Sequence, residues 1–162
     1  MQTFDALWDA AASRKGGAEA LEALLPPPIP LSALEETPDS RLLSAMSRRV
    51  FQAGFNCAKE HGSAARFIAA TPDEEYIVLL DYFEKNGSRL GGVTLQICLR
   101  DIGKDGFILS KDVLTALQRE QVIAGKGTSK RERHAAQEAF NTWRAQSQRP
   151  FAHISRILAF TV

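Results

Sequence analysis

Cysteine is scarce in this 162-residue chain, and Cys57 and Cys98 are too few to frame a small disulfide-held fold. With only His61, His134 and His153 beside them, no zinc-ligand spacing occurs, so neither a metal nor another cofactor is expected. No apolar run approaches the roughly 20 residues that cross a bilayer. The opening MQTFDALWDAAASRKGG lacks the basic-then-apolar order of a secretory signal. These absences point to the cytoplasm and to no membrane partner. Alternation of period two is missing as well, which leaves β-strands without support, and no internal repeat is visible. What remains is 44% hydrophobic and 24% charged, the composition of one soluble globular domain large enough to bury a core.

The formal net charge of +1 conceals a division along the chain. Residues 1 to 84 carry 7 Lys/Arg against 13 Asp/Glu, whereas residues 85 to 162 carry 13 against 6. A polyanion, if one binds, is therefore expected to meet mainly the second half.

Helical spacing recurs throughout. Phe4, Leu7, Trp8, Ala11 and Ala12 share one face, Gly16-Gly17 interrupts it, and Ala20, Leu21, Leu24 and Leu25 resume it. Pro26-Pro27-Pro28-Ile29-Pro30 removes backbone donors and reads as a stiff connector. Asp39 or Ser40 caps a helix with Leu42, Leu43, Met46 and Val50 on its apolar face, and residues 57 to 70 continue the helical pattern. Thr71-Pro72-Asp73-Glu74-Glu75 reads as a capped, proline-led, acidic helix start, followed by the expected core residues Ile77, Val78, Leu80 and Phe83 and a stop at Asn86-Gly87. Further helices are expected from Leu95 to Ile102, from Ser110 to about Gln121, from Thr128 or Ser129 to about Gln146, and from Pro150 onward. The fold class is all-α, with eight to ten helices.

Two segments carry chemistry. In Lys85 to Arg100, a helix stop and a three-glycine turn precede a new helix, an arrangement that presents backbone amides to an anion and that equally serves as an ordinary tight connection. In Gly106 to Leu114, an apolar run leads to Ser110 and then Asp112 in the first turn of a helix. An acid there is ordinarily a partner of the helix dipole and nothing more.

In sequence, these segments resemble the helix-hairpin-helix DNA glycosylases. The phrases AASRKGGAEALEALL (ending at Leu25), RRVFQAGFN (48 to 56), AKEHGSAARF (58 to 67), KNGSRLGG (85 to 92), GKDGFILSKDVLTAL (103 to 117) and the C-terminal SKRERHAAQEAFNTWRAQSQRPFAHISRILA are similar to the DNA-3-methyladenine glycosylase I branch. The resemblance implies a single helical domain over residues 1 to 162, with N-terminal helices and a connector in 1 to 30 and a hairpin-to-acid block in 85 to 117. It also implies a monomeric, nucleoid-associated DNA-repair hydrolase that releases alkylated purines from duplex DNA; the family's zinc ligands are unmatched in this chain, so the enzyme is expected to be metal-free. On that reading Asp112 is catalytic, and Phe51, Gln52, Phe55 and Asn56 border the base pocket. Arg89, Gly91, Gly92, Thr94, Lys104, Lys130 and Arg131 meet DNA phosphates, with Lys85 and Lys126 as further candidates. Each has its plain counterpart: Phe51 and Phe55 as core, and the basic residues as a solvated surface.

The chain also departs from that family. Asn56 runs through Cys57 directly into AKEHGSAARF, where the family has further helices, so an internal deletion near residue 57 is implied. Arg49 stands where the family places a glutamate, and Val93 and Leu95 stand where its hairpin favours small or polar residues. Two rival readings follow, an inactive shortened relative with residual DNA binding and a helical protein-interaction module whose partner covers the face opened by the deletion.

Overall fold

The computed structural model describes residues 1–26, 60, 62, 64–86 and 90–162. The expected helix from Asp39 or Ser40, the proline run beyond Pro26 and the junction near residue 57 lie outside them. Every regular element among the described residues is helical: α1 (Phe4–Lys15), α2 (Ala18–Glu22), α3 (Ala64–Ala70), a 3-10 turn (Asp73–Glu75), α4 (Tyr76–Asn86), α5 (Val93–Asp101), α6 (Lys111–Arg119), α7 (Lys130–Ser147) and α8 (Phe151–Phe160). None of these helices is long and apolar enough to cross a membrane.

The chain divides into two compact units. One joins both ends of the sequence, Met1–Pro28 with Phe107–Val162, and the other is Ile29–Gly106.

The terminal unit is organised by aromatic packing. Phe107 stacks on Phe140 with centroids 4.3 Å apart, Phe151 meets both edge-on at 6.0 and 6.1 Å, and Trp143 meets Phe140 edge-on at 5.7 Å. All four rings are fully buried, and burial of each such side chain contributes roughly 1.5–3 kcal/mol. Phe107 belongs to an extended run, whose next residue is held by Ser155 of α8: Ile108 N–H donates to Ser155 Oγ at 3.1 Å, and that hydroxyl donates back to the Ile108 carbonyl at 3.2 Å. The apolar run before Ser110 is thus fixed without a β-ladder.

Helix α1 docks through its buried Phe4, Leu7, Ala11 and Ala12. Its entry is satisfied by distant groups. Gln2 N–H donates to Glu120 at 3.0 Å, Phe4 N–H donates to Gln146 at 2.8 Å, and Trp143 Nε1–H donates to the Gln2 carbonyl at 3.0 Å. Its exit is a left-handed Gly16 (φ 88°), whose following amide returns to Ala12 O at 2.8 Å. Arg149 then grips Glu22 at the end of α2 with two nitrogens, at 3.1 and 2.9 Å, and lies 4.2 Å over the Trp8 ring. That guanidinium holds the Glu22 carboxyl below the usual carboxylate range.

In the other unit, Tyr76, Ile77, Leu79, Leu80 and Phe83 bury one face of α4, and Leu95 and Leu99 bury one face of α5. Gly106 closes tightly here, since a Cβ on it would meet the Tyr76 ring at 2.3 Å.

Three expectations change. Val78 is 46% exposed and Leu79 takes its place in the core, because residues 76, 79, 80 and 83 share the face that Val78 opposes at 100° per residue. Leu24, expected in an apolar stripe, is 43% exposed because α2 stops at Glu22. Thr71 does not start a helix. Its hydroxyl donates back to Phe67 O at 2.9 Å, closing α3, and the acidic run that follows forms a 3-10 turn before α4 begins at Tyr76.

Two helices end on a left-handed residue that is not glycine, Gln121 (φ 59°) and Gln148 (φ 55°). A side chain at that backbone conformation costs stability that glycine does not. Gln148→Gly is therefore expected to raise unfolding stability by about 0.5–1 kcal/mol, measured by urea titration, and a loss of stability would contradict the strain argument.

Candidate functional site

The expected site residues fall on both units, so each group is described within its own. In Ile29–Gly106, Gly91 and Gly92 are exposed and lead into α5. Gly92 has φ 65° and ψ −139°, a conformation reserved for glycine, and occupies the N-cap with no side-chain cap bond. Gly91 has no positive φ, and a Cβ at either position would meet open space. Thr94 is exposed in the first turn. The turn thus brings the chain into α5 with an exposed first turn and no side-chain cap at Gly92. Arg89 and the base-pocket candidates Phe51, Gln52, Phe55 and Asn56 lie outside the described residues.

Lys104 is not at a surface. It is 1% exposed, its ammonium sits 2.8 Å from Asp73 Oδ1, and it donates to the Thr71 carbonyl. This corrects its assignment as a phosphate contact, because a phosphate would have to displace a buried ion pair to reach it. The lysine instead ties the end of α5 to the acidic 3-10 turn. Lys104→Met should lower stability by about 3 kcal/mol, since Asp73 would lose its buried partner. The salt dependence of any DNA binding should not change. A salt slope smaller by about one with stability intact would return Lys104 to the surface.

In the unit formed by the chain ends, Ser110 caps α6 as the sequence indicates, its hydroxyl accepting from Val113 N–H at 3.3 Å. Asp112 lies in the first turn of that helix and is exposed, with no hydrogen bond or ion pair among the described residues. Lys130 and Arg131 open α7 and are exposed. Between these helices is a groove of about 850 Å³, lined by Gln118 and Gln121, by Val122 to Ala124, and by Arg131, Glu132 and Ala135 of α7. Asp112 is not in its lining.

The start of α7 is already served by a carboxylate. Ser129 Oγ accepts from Glu132 N–H at 3.2 Å and donates to Glu132 Oε2 at 2.8 Å, while Glu132 Oε1 accepts from Gly125 N–H at 2.6 Å. This is a capping box with an added loop contact. The Ser129 hydroxyl, followed by the Gly125 amide, holds the Glu132 carboxyl below its ordinary value of 4.5. A carboxyl lowered on folding adds stability that is complete above its unfolded pKa and is lost as pH falls through its folded one. Glu132→Gln should therefore weaken the fall in melting temperature between about pH 5 and pH 3. Parallel pH profiles for the two proteins would remove this role.

The Ser129-x-x-Glu132 spacing was the available signal for that cap. Nothing in the residue types announced the groove, whose polar lining is Gln118, Gln121, Arg131 and Glu132. No cluster of three potential metal ligands occurs among the described residues. In comparisons with protein-family models, curated proteins and solved structures, nothing matches this chain.

Proposed function

We propose that this protein acts on duplex DNA as a base-excision glycosylase of the 3-methyladenine type, hydrolysing the N-glycosidic bond of an alkylated purine as a metal-free monomer in the cytoplasm. The carrying observation is Gly92: its φ of 65° at an exposed, side-chain-uncapped helix start lies within the KNGSRLGG phrase, where the resemblance calls for a phosphate-binding hairpin. The later phrase GKDGFILSKDVLTAL supports the same reading, since Ser110 caps a helix that carries Asp112 in its first turn with an accessible carboxylate.

In the proposed reaction the flipped base departs with the electron pair of the N-glycosidic bond, leaving positive charge on the sugar C1′ and ring oxygen. The Asp112 carboxylate stabilises that charge, water adds to C1′, and its proton passes to solvent or to the departing base. Backbone amides at the start of α5 hold a phosphate, which fixes the strand without reading sequence.

The exposure of Asp112 favours a second reading, in which the chain keeps DNA binding and releases no base. A carboxylate without positioning partners supplies less of the preorganised field that glycosidic cleavage needs.

Base release from alkylated duplex DNA separates the two. The wild-type protein should release base, and Asp112→Asn should lower the rate by orders of magnitude with duplex affinity nearly unchanged. Equal rates would remove Asp112 from the chemistry. Duplex binding without any release by the wild-type protein would establish the second reading.

A further inference from the structure

The groove between α6 and α7 has walls fixed from both sides. Gln118 Nε2 donates to the Gly125 carbonyl at 2.6 Å, and the amide of that same glycine donates to Glu132 at 2.6 Å. After α6 the chain turns back at the left-handed Gln121, with Val122 N–H reaching Leu117 O at 2.9 Å. A loop clamped in this way presents a preformed surface, which lowers the ordering cost of binding.

Its chemistry is mixed, and its lining holds both the Arg131 guanidinium and the Glu132 carboxylate, which differ in what they leave open for a ligand. Both oxygens of Glu132 are engaged, one by Gly125 N–H and the other by the Ser129 hydroxyl at 2.8 Å. Arg131 is exposed and has no hydrogen bond or ion pair among the described residues. The guanidinium therefore has its donors available, in the fork geometry that matches a phosphate. Beside it are the apolar Val122, Ile123 and Ala135 and the side-chain amide of Gln121. At about 850 Å³ the groove falls within the range of roughly 300–1,000 Å³ typical of small-molecule sites. A bare phosphate would leave most of it empty, so the fitting ligand is an anion with an organic body.

We infer that this groove binds a nucleotide, with the phosphate on Arg131 and the sugar and base over Val122, Ile123 and Ala135. The choice of a nucleotide among organic phosphates rests on the DNA-acting reading above; the groove and its unpaired guanidinium do not. The nucleotide is either free or one unit of a DNA strand, since both present a phosphate ester joined to a flat heterocycle.

The test is a titration of the full chain with adenosine monophosphate, with single-stranded hexathymidylate and with inorganic phosphate, followed through the backbone amide resonances of Val122, Ile123 and Ala135. Adenosine monophosphate or the oligonucleotide should shift all three, and Arg131→Gln should weaken that binding at least tenfold. Ala135→Trp, which fills the groove without changing charge, should abolish it. Response to the oligonucleotide alone identifies a strand unit as the occupant, and response to the mononucleotide alone identifies a free nucleotide. No shift with either, unchanged affinity in Arg131→Gln, or equal affinity for inorganic phosphate would overturn the inference. Arg131 is exposed, so its substitution carries the test even if Ala135→Trp fails to fold. Groove binding without base release would leave this inference standing and refute the glycosylase; base release with an unresponsive groove would do the reverse.

Discussion

Closure of the chain on itself is the constraint from which the terminal unit follows. Residues 2 and 4 are bonded to residues 120, 143 and 146, so the seat of α1 is formed by α7 and the segment that follows α6. Those contacts span more than a hundred positions, yet loop-closure entropy grows only logarithmically with loop length. The intervening Ile29–Gly106 can therefore differ in length from a relative without undoing the closure. Asp112, Ser110 and the groove belong to the unit that this closure holds together.

Electrostatics works differently in the two units. In the terminal one, charged side chains lie over aromatic faces: Arg149 over Trp8 at 4.2 Å, Arg144 over Phe151 at 4.7 Å, and Lys15 over Phe160 at 4.2 Å. Such contacts keep the cationic heads near water while their stems cover apolar surface. In the other unit a lysine is taken fully inside and matched with Asp73. That arrangement contributes rigidity at a desolvation cost, and it withdraws one positive charge from the half of the chain that looked richest in them.

Helices were legible at two serines that stand at the head of amphipathic runs and at one glycine pair that ends one. Ser110 and Ser129 cap α6 and α7 as their positions suggest, and Gly16-Gly17 ends α1. The start at Thr71 misled because the threonine hydroxyl can bond backward as well as forward, and the backward bond to Phe67 won. Val78 misled because it and Leu79 are equally apolar, and only the phase of α4 chooses between them. Lys104 read as a surface cation because its partner, Asp73, lies thirty-one positions earlier and nothing local announces the pair. The groove was invisible for a related reason: its geometry comes from the Gly125 peptide clamped by Gln118 and Glu132, while glutamine and glycine carry no chemical signature of their own.

One detail of the closure reaches further. Arg119 holds Thr161 through its carbonyl at 2.7 Å and its hydroxyl at 2.8 Å, and the adjacent Glu120 holds the amide of residue 2 at 3.0 Å. Consecutive residues therefore anchor residues 2 and 161, which makes this unit close to a ring in its connectivity. A short polar linker joining residues 2 and 161, with the backbone opened instead in an exposed loop, would describe the same packed object by a different order of its parts.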